Sequence, residues 1–453
     1  MKLTFAGAAG TVTGSRHILE TEDRRLLLDC GLFQGFKQLR LRNWADFPVS
    51  PHRIDGVVLS HAHLDHSGYL PALVRDGFGG PIFATEATFA LCQVLLKDSA
   101  HLQEEEARFA NRHGFSKHTP AEPLYTVEDA ERALRQFSVV DFGRGFEIGS
   151  GLKCVLRPAG HLLGAASITL SRRRRSLVFS GDLGRPNDSL MRPPARIASA
   201  DTLIVESTYG DRTHPVDDGE AIIGRVIRET AARGGTVLIP SFAVGRAQTV
   251  LLALWNLKRR GEIPDLPVFL DSPMATDATT LYRKFRTLHR LTVAQCRGMC
   301  QVARIINSPE ESKALANLRM PAVIIAASGM ATGGRVLHHL KLIAPDPRNH
   351  VLFVGFQAGG TRGARLVAGE REVKIHGDWF EVRAPVTQID SYSAHADADE
   401  ILGWLARFGR APSKVYVCHG EPEAADRLRA RIERELGWSA RVPEHMESVE
   451  IPL

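Results

Sequence analysis

Cysteine is scarce in this chain, with six in 453 residues and none clustered. That excludes a disulfide-stapled scaffold, and Cys296 and Cys300 lack the second close pair that a zinc ribbon would need. Long apolar runs are missing too: none approaches the ~20 residues required to span a bilayer. No charged-then-apolar leader pattern follows Met1. The expectation is a cytoplasmic protein with reduced thiols and no membrane partner. Neither sign of charge dominates, since 57 basic residues face 51 acidic ones for a net +6. The slight basic excess points toward a polyanionic partner without deciding it. The four arginines at 172–175 lie between strand-like runs at 166–170 and 176–180, so they read as a solvated hairpin turn. Hydrophobic residues, at 44%, suffice for two or three cored domains.

The first half is rich in short strands, at 3–7, 17–19 and 25–29, punctuated by glycine turns. A helix is expected from near Ser67, then a strand at 81–84 and a long helix from about Glu86. Further strands are expected around 146–148, 153–156, 166–170, 177–180 and 203–206. From about Tyr209 the pattern changes to four strand–loop–helix units in series. Their strands are 236–240, 268–270, 323–326 and 351–355, with helices at 248–257, 275–285, 336–342 and 364–367. Such a series describes a doubly wound α/β domain with a mostly parallel sheet. Its glycine-rich loops at 328–335 and 359–362 are candidate phosphate cradles, although neither has a Walker or dinucleotide spacing. Strands then return at 386–389 and 415–417, followed by a helix at 423–435. The α/β segment therefore reads as an insertion, with domain spans of 1–208, 209–372 and 373–453.

One run carries more chemistry than any other: His61-Ala-His63-Leu-Asp65-His66, just after the apolar stretch 54–59. Three imidazoles and a carboxylate within six residues are poor core material, because each buried polar group must find a partner or cost about 1–3 kcal/mol. A metal removes the difficulty, since imidazole nitrogen and carboxylate oxygen are ligands that zinc takes. Other strand ends offer more donors: His161 after 157–160, Asp182 after 179–181, and His419 after 417–418. Taken singly, each is equally readable as a turn residue. Ligands from several strand ends can converge on one sheet edge, where a carboxylate can bridge two ions.

These motifs, in this order, resemble those of the metallo-β-lactamase superfamily. Asp29 in Leu-Leu-Leu-Asp-Cys-Gly matches the first, the 61–66 run the second, His161 the third and Asp182 the fourth. The resemblance implies that His61, His63 and His161 hold one ion, that Asp65, His66 and His419 hold another, and that Asp182 bridges. Asp29 would orient histidines by hydrogen bonds. The insertion and the C-terminal stretch after it resemble the β-CASP nucleases, the branch containing the polyadenylation-specificity endonuclease and ribonuclease J. Their further motifs match Glu206 in Glu-Ser-Thr-Tyr-Gly, His395 in Ser393-Ala-His-Ala-Asp, and His419. The implied fold is an αββα sandwich interrupted by a doubly wound α/β domain. A histidine at the third of these positions goes with RNA-acting members of the family.

The resemblance implies a metal-dependent ribonuclease, endonucleolytic or 5′–3′ exonucleolytic, acting on single-stranded RNA in processing or decay. Two divalent ions roughly 3.5–4 Å apart activate a hydroxide for in-line attack at phosphorus, leaving 5′-phosphate and 3′-hydroxyl ends. Zinc is favoured by the histidine-rich ligands, and manganese also suits mixed sites. His395 is the candidate proton donor to the leaving oxygen, with Glu206 beside it favouring the imidazolium. Asp65 and Asp182 complete the catalytic set. Ser393, Ser241, Ser328, Gly329 and Arg335 are expected to contact neighbouring phosphates. The open alternatives are a DNA-processing nuclease, a thioester or lactone hydrolase on the same metal fold, and a catalytically silent RNA-binding subunit. A homodimer is compatible with all of them.

Overall fold

The structure, a computed structural model, describes every residue of the chain except Phe115, Ser150, Val216 and Asp217. It divides into two units, one formed by residues 1–213 with 395–453 and the other by 214–394.

In the first unit, alternating apolar strands stack two seven-stranded sheets. One sheet runs Ser448–Glu450, Lys2–Phe5, His17–Glu20, Arg25–Leu28, Gly56–Val58, Ile82–Ala84 and Phe137–Val139. The other runs Ala440–Arg441, Lys414–Val417, Thr202–Val205, Arg175–Phe179, Ala166–Arg172, Leu152–Pro158 and Phe146–Gly149. The period of two sends Leu152, Cys154 and Leu156 inward together with Ala166, Ile168 and Leu170. These meet Leu3, Phe5, Leu26, Leu28 and Val58 of the facing sheet in one core. Val178, Leu203, Val205, Val415 and Val417 point the other way, onto Ile401, Trp404 and Leu405 of helix Ala398–Leu405 and Leu428 of helix Pro422–Arg431. On the far side, helix Glu86–His113 packs with helix Val127–Leu134, which also contacts Leu70–Arg75. The layers are therefore helix, sheet, sheet, helix.

The second unit holds a six-stranded sheet in which every pairing is parallel. Its order is Arg304–Ile305, Val268–Asp271, Ala322–Ala326, Thr236–Pro240, His350–Val354 and Val386–Ile389. The last strand differs from the sequence expectation, which grouped it with the returning first domain at 373. It pairs instead with His350–Val354, and the second unit extends to Ala394. A four-residue run with three β-branched side chains reads alike in either sheet; the register against Val351–Val354 assigns it. The hairpin of Glu372–Ile375 and Asp378–Glu381 precedes it. The Arg173–Arg174 turn joins strands Ala166–Arg172 and Arg175–Phe179, with Arg173 at φ 56°.

Candidate metal centre

The donors gather at the ends of first-unit strands. The loop after Gly56–Val58 delivers His61 and His63, then turns at once into helix Leu64–Ser67. The helix begins earlier than the sequence suggested, so Asp65 and His66 sit on its single turn. The chain after Arg25–Leu28 backs this loop closely: Cys30 N donates to His66 O at 2.7 Å and Leu32 N to Leu64 O at 2.8 Å. A Cβ at Gly31 would lie 1.6 Å from Asp65 O, so only glycine allows that approach. Gly160 and Gly181, both at positive φ, turn the chain so that His161 and Asp182 follow their strands into the same space. Asp29 and His419 are themselves left-handed, at φ 59° and 51°. Strain of this kind persists where surrounding bonds fix it, and His419 N donates to Ala8 O at 2.7 Å.

Two donor sets result. The ligand atoms of His61, His63, His161 and Asp182 all lie within 4.8 Å of one another, as do those of Asp65, His66 and His419. In the first set, His63 Nδ1 is 3.2 Å from His61 Nε2 and 3.1 Å from His161 Nε2. In the second, His66 Nε2 is 3.0 Å from His419 Nε2, and Asp65 Oδ2 is 3.4 Å from His419 Nε2. Asp182 lies between them. Its Oδ2 is 3.4 Å from His61 Nε2 and 3.6 Å from His161 Nε2, while Oδ1 is 3.3 Å from His66 Nε2 and 3.5 Å from His419 Nδ1. Both Asp182 oxygens are buried without a hydrogen bond among the described residues. A buried carboxylate left so, ringed by imidazole nitrogens, fits a cation better than it fits a core.

Charge and tautomer agree with that fit. Burial, reinforced by the neighbouring His66, holds the His61 pKa well below its ordinary value, and burial pushes His63 down to about 4. Both are thus neutral near pH 7, the form a metal takes. His66 goes the other way: burial opposes its charge, but Asp182, Asp65 and Asp29 together outweigh it and raise the pKa well above the usual. Burial likewise opposes the Asp182 carboxylate, and His419, His66, His61 and His395 overcome it and hold its pKa well down.

Hydrogen bonds fix the rings from behind. His66 Nδ1 lies 2.7 Å from Asp29 Oδ2, which also accepts from Ser60 Oγ at 2.8 Å and Ser15 Oγ at 3.2 Å. Because Ser60 Oγ donates to Asp29, it accepts from His61 Nδ1 at 3.0 Å. Thr208 Oγ1 donates to His419 O at 3.2 Å and so accepts from His419 Nδ1 at 3.1 Å. His61 and His419 are left with Nε2 as the lone-pair nitrogen, and His66 presents the same nitrogen once a cation takes the place of the proton that its carboxylate neighbours favour. Ser60 and Thr208 were not singled out in the sequence, although each directly adjoins or nearly adjoins a predicted residue. Replacing Asp29 by Asn is expected to lower metal affinity by roughly 10–100-fold; competition with a chromogenic chelator measures it, and unchanged affinity would remove Asp29 from the network.

His395 approaches from the strand bridge it makes with Gly184. Its Nδ1 lies 3.1 Å from Glu206 Oε2 and 3.8 Å from Asp182 Oδ2, and Glu206 Oε1 is fixed by Leu183 N at 2.5 Å. The ring stands 4.4 Å from that of His161, centroid to centroid.

The residues expected at phosphates lie in the second unit. Arg335 is committed there: it pairs with Asp271 Oδ1 at 2.6 Å and donates to the carbonyls of Ile306 and Asn307. Ser328 Oγ closes its own loop, 3.1 Å from Thr332 Oγ1 and accepting from Thr332 N. Ser241 Oγ donates to Phe242 O, and a Cβ on Gly329 would meet Phe242. Ser393 is buried. Arg335 is thus held by a buried carboxylate and braces its loop.

Comparison with known proteins bears on the same features. A family model described as the metallo-beta-lactamase superfamily matches residues 12–228, and one described as the Beta-Casp domain matches 247–366. A third, the Zn-dependent metallo-hydrolase RNA specificity domain, matches 379–443. Ribonuclease TTHA0252 of Thermus thermophilus is 38% identical over 430 residues, covering 93% of this chain and 94% of that one. The chain belongs to the β-CASP family of the metallo-β-lactamase superfamily. Among other β-CASP relatives, the transcription termination factor FttA of Pyrococcus abyssi is 31% identical over 100% of this chain and 71% of its own. A crystal structure of a protein of unknown function from Enterococcus faecalis V583 covers 99% of both chains with a TM-score of 0.52 at 13% identity, a likeness of fold. No described helix of this β-CASP protein is long and apolar enough to cross a membrane.

Proposed function

We propose that this chain is a metal-dependent ribonuclease that hydrolyses single-stranded RNA to 5′-phosphate and 3′-hydroxyl ends. The observation that carries the reading is the Glu206–His395 pair set against Asp182. A metal-fold hydrolase of thioesters or lactones has no need of this added proton-carrying imidazole or of the inserted α/β unit. The names of the relatives, a ribonuclease and a transcription termination factor, agree with an RNA substrate.

His61, His63 and His161 would hold one divalent ion and Asp65, His66 and His419 a second, with Asp182 reaching both; zinc suits the donor set and manganese is the alternative. Bound there, the ions lower the pKa of water and neutralise charge on the reacting phosphate. The chain's own groups do the rest. Asp29, Ser60 and Thr208 keep the imidazole lone pairs aimed inward. Glu206 holds His395 Nδ1, so the exchangeable proton is carried at Nε2. As the water oxygen bonds to phosphorus, the P–O3′ bond breaks and His395 supplies the proton that the 3′-oxygen takes.

The test incubates the metal-loaded protein with end-labelled single-stranded RNA, DNA and a thioester, with and without chelator. RNA shortened to 5′-phosphorylated products, blocked by chelator and restored by zinc or manganese, is the expected result. Thioester turnover with RNA left intact would overturn it. Mapping products from 5′-mono- and 5′-triphosphorylated RNA separates endonucleolytic from exonucleolytic action.

A further inference from the structure

The segment that follows the Asp29 strand gathers exposed rings and cations. Residues 36–44 read Phe-Lys-Gln-Leu-Arg-Leu-Arg-Asn-Trp, with three cations and no acid. Phe36, Leu41 and Trp44 are 56%, 56% and 59% exposed, and Lys37 and Arg40 are exposed between them. Scattered apolar side chains on a surface need no explanation, but two aromatic rings interleaved with three cations in nine residues form a coherent pattern. Only the short helix Lys37–Leu41 lies within it.

Its base is firmly built. Asn43, buried, accepts from Phe33 N at 2.9 Å and donates to Phe33 O at 2.7 Å, closing the segment into a loop. Arg16, 2% exposed, reaches the same place, donating to Gly31 O at 2.8 Å and Asn43 Oδ1 at 3.2 Å. Its guanidinium stands 4.0 Å from the Tyr69 ring centroid, 4.9 Å from Phe33 and 5.5 Å from Phe47. None of these partners is a carboxylate. Buried charges are ordinarily paired with an opposite charge; one met among the described residues by carbonyl oxygens and ring faces leaves a positive field at the loop base. Arg42 lies 5.4 Å over Phe33 and adds to it. Glu106 of helix Glu86–His113 is influenced by Arg40, and the exposed Asp46 follows two residues after Trp44, so the loop is bordered by acids outside residues 36–44. The loop is tied to the metal donors through Leu32 N–Leu64 O and Cys30 N–His66 O.

We infer that residues 36–44 form a docking arm for single-stranded RNA, stacking bases on Phe36 and Trp44 and pairing phosphates with Lys37, Arg40 and Arg42. The inference rests on the ribonuclease reading, and it adds where the strand is held beyond the reacting phosphate. Ring faces accept any base and cations track any backbone, so this chemistry suits a strand bound without sequence preference. Exposed rings and arginine also occur at protein interfaces; the three cations without an acid in 36–44 are what favour a polyanionic strand over a protein partner.

The test compares wild type with F36A/W44A and K37Q/R40Q, using W379A as control, since Trp379 is a similarly exposed tryptophan (56%) in the other unit. The metal-loaded enzyme gives kcat and KM on a labelled 20-nucleotide RNA. Anisotropy with the same RNA in an H395A background gives affinity independently of cleavage. F36A/W44A is expected to raise KM and Kd by about 10-fold for each ring lost, with kcat little changed. K37Q/R40Q should flatten the slope of log affinity against log salt by roughly 0.7 for each phosphate contact removed. Wild-type affinity in both variants, or equal weakening by W379A, overturns the arm. So does a change from dimer to monomer in F36A/W44A with RNA affinity intact, which would make the loop a contact between copies. Binding that depends on the arm in a protein that cleaves no RNA would instead leave the arm standing and remove the ribonuclease reading.

Discussion

Asp182→Ala is expected to empty both metal sites and abolish RNA cleavage, leaving less than the ~10⁻²–10⁻⁴ residual that loss of a single acid–base group alone would give. The reasoning is geometric. Each oxygen of this carboxylate faces a different histidine set, Oδ2 toward His61 and His161, Oδ1 toward His66 and His419. It is also buried without a hydrogen bond among the described residues. With it gone, five crowded imidazoles confront one another without the one carboxylate that faces both sets, and Asp65, Asp29 and Glu206 remain at the margins. Elemental analysis of the purified variant, beside circular dichroism to show that it folds, measures the first effect, and the RNA assay measures the second. A variant that keeps near-stoichiometric metal would show that Asp182 is not shared, and full activity with depleted metal would sink the metal mechanism altogether.

How far this centre can be read from sequence differs residue by residue. His61, His63, Asp65 and His66 stand out because polar groups so dense after an apolar strand have no core use. His161, Asp182 and His419 are marked only by a preceding strand and a nearby glycine, a signal shared with ordinary turns. What joins His66 to His419 is a contact across 353 residues, and no local pattern encodes it; the order of motifs supplied it through resemblance. The same limit hides the strand Ser448–Glu450, which pairs with Lys2–Phe5 across almost the whole chain, and misplaces Val386–Ile389, whose partner is another buried parallel strand. Arg335 shows another limit. An arginine after a glycine-rich loop looks the same whether it meets a ligand phosphate or, as here, the buried Asp271. Ser60 and Thr208 escape notice because small hydroxyls carry no pattern until the tautomer of a neighbouring imidazole gives them a task.

His395→Ala, by contrast, is expected to retain its metal and slow cleavage by roughly 10²–10⁴-fold, the range typical of a positioned proton donor. His395 belongs to neither tight donor set. Its Nδ1 is taken up with Glu206 and stands 3.8 Å from Asp182 Oδ2, farther than the ring nitrogens of His61 and His161 from the same oxygen. A group placed there can move a proton without holding an ion. The loss should fall on kcat, since the proton is needed at the breaking P–O3′ bond and not for binding. A substrate whose leaving 3′-oxygen is replaced by sulfur needs little protonation to depart, so the gap between wild type and H395A should narrow sharply on a 3′-phosphorothiolate linkage. Glu206→Gln should move in the same direction with a smaller loss, because Leu183 N can still hold the amide oxygen in place. Loss of metal in H395A would make the histidine a ligand. An undiminished defect on the sulfur-linked substrate would show that it positions the strand and does not deliver the proton.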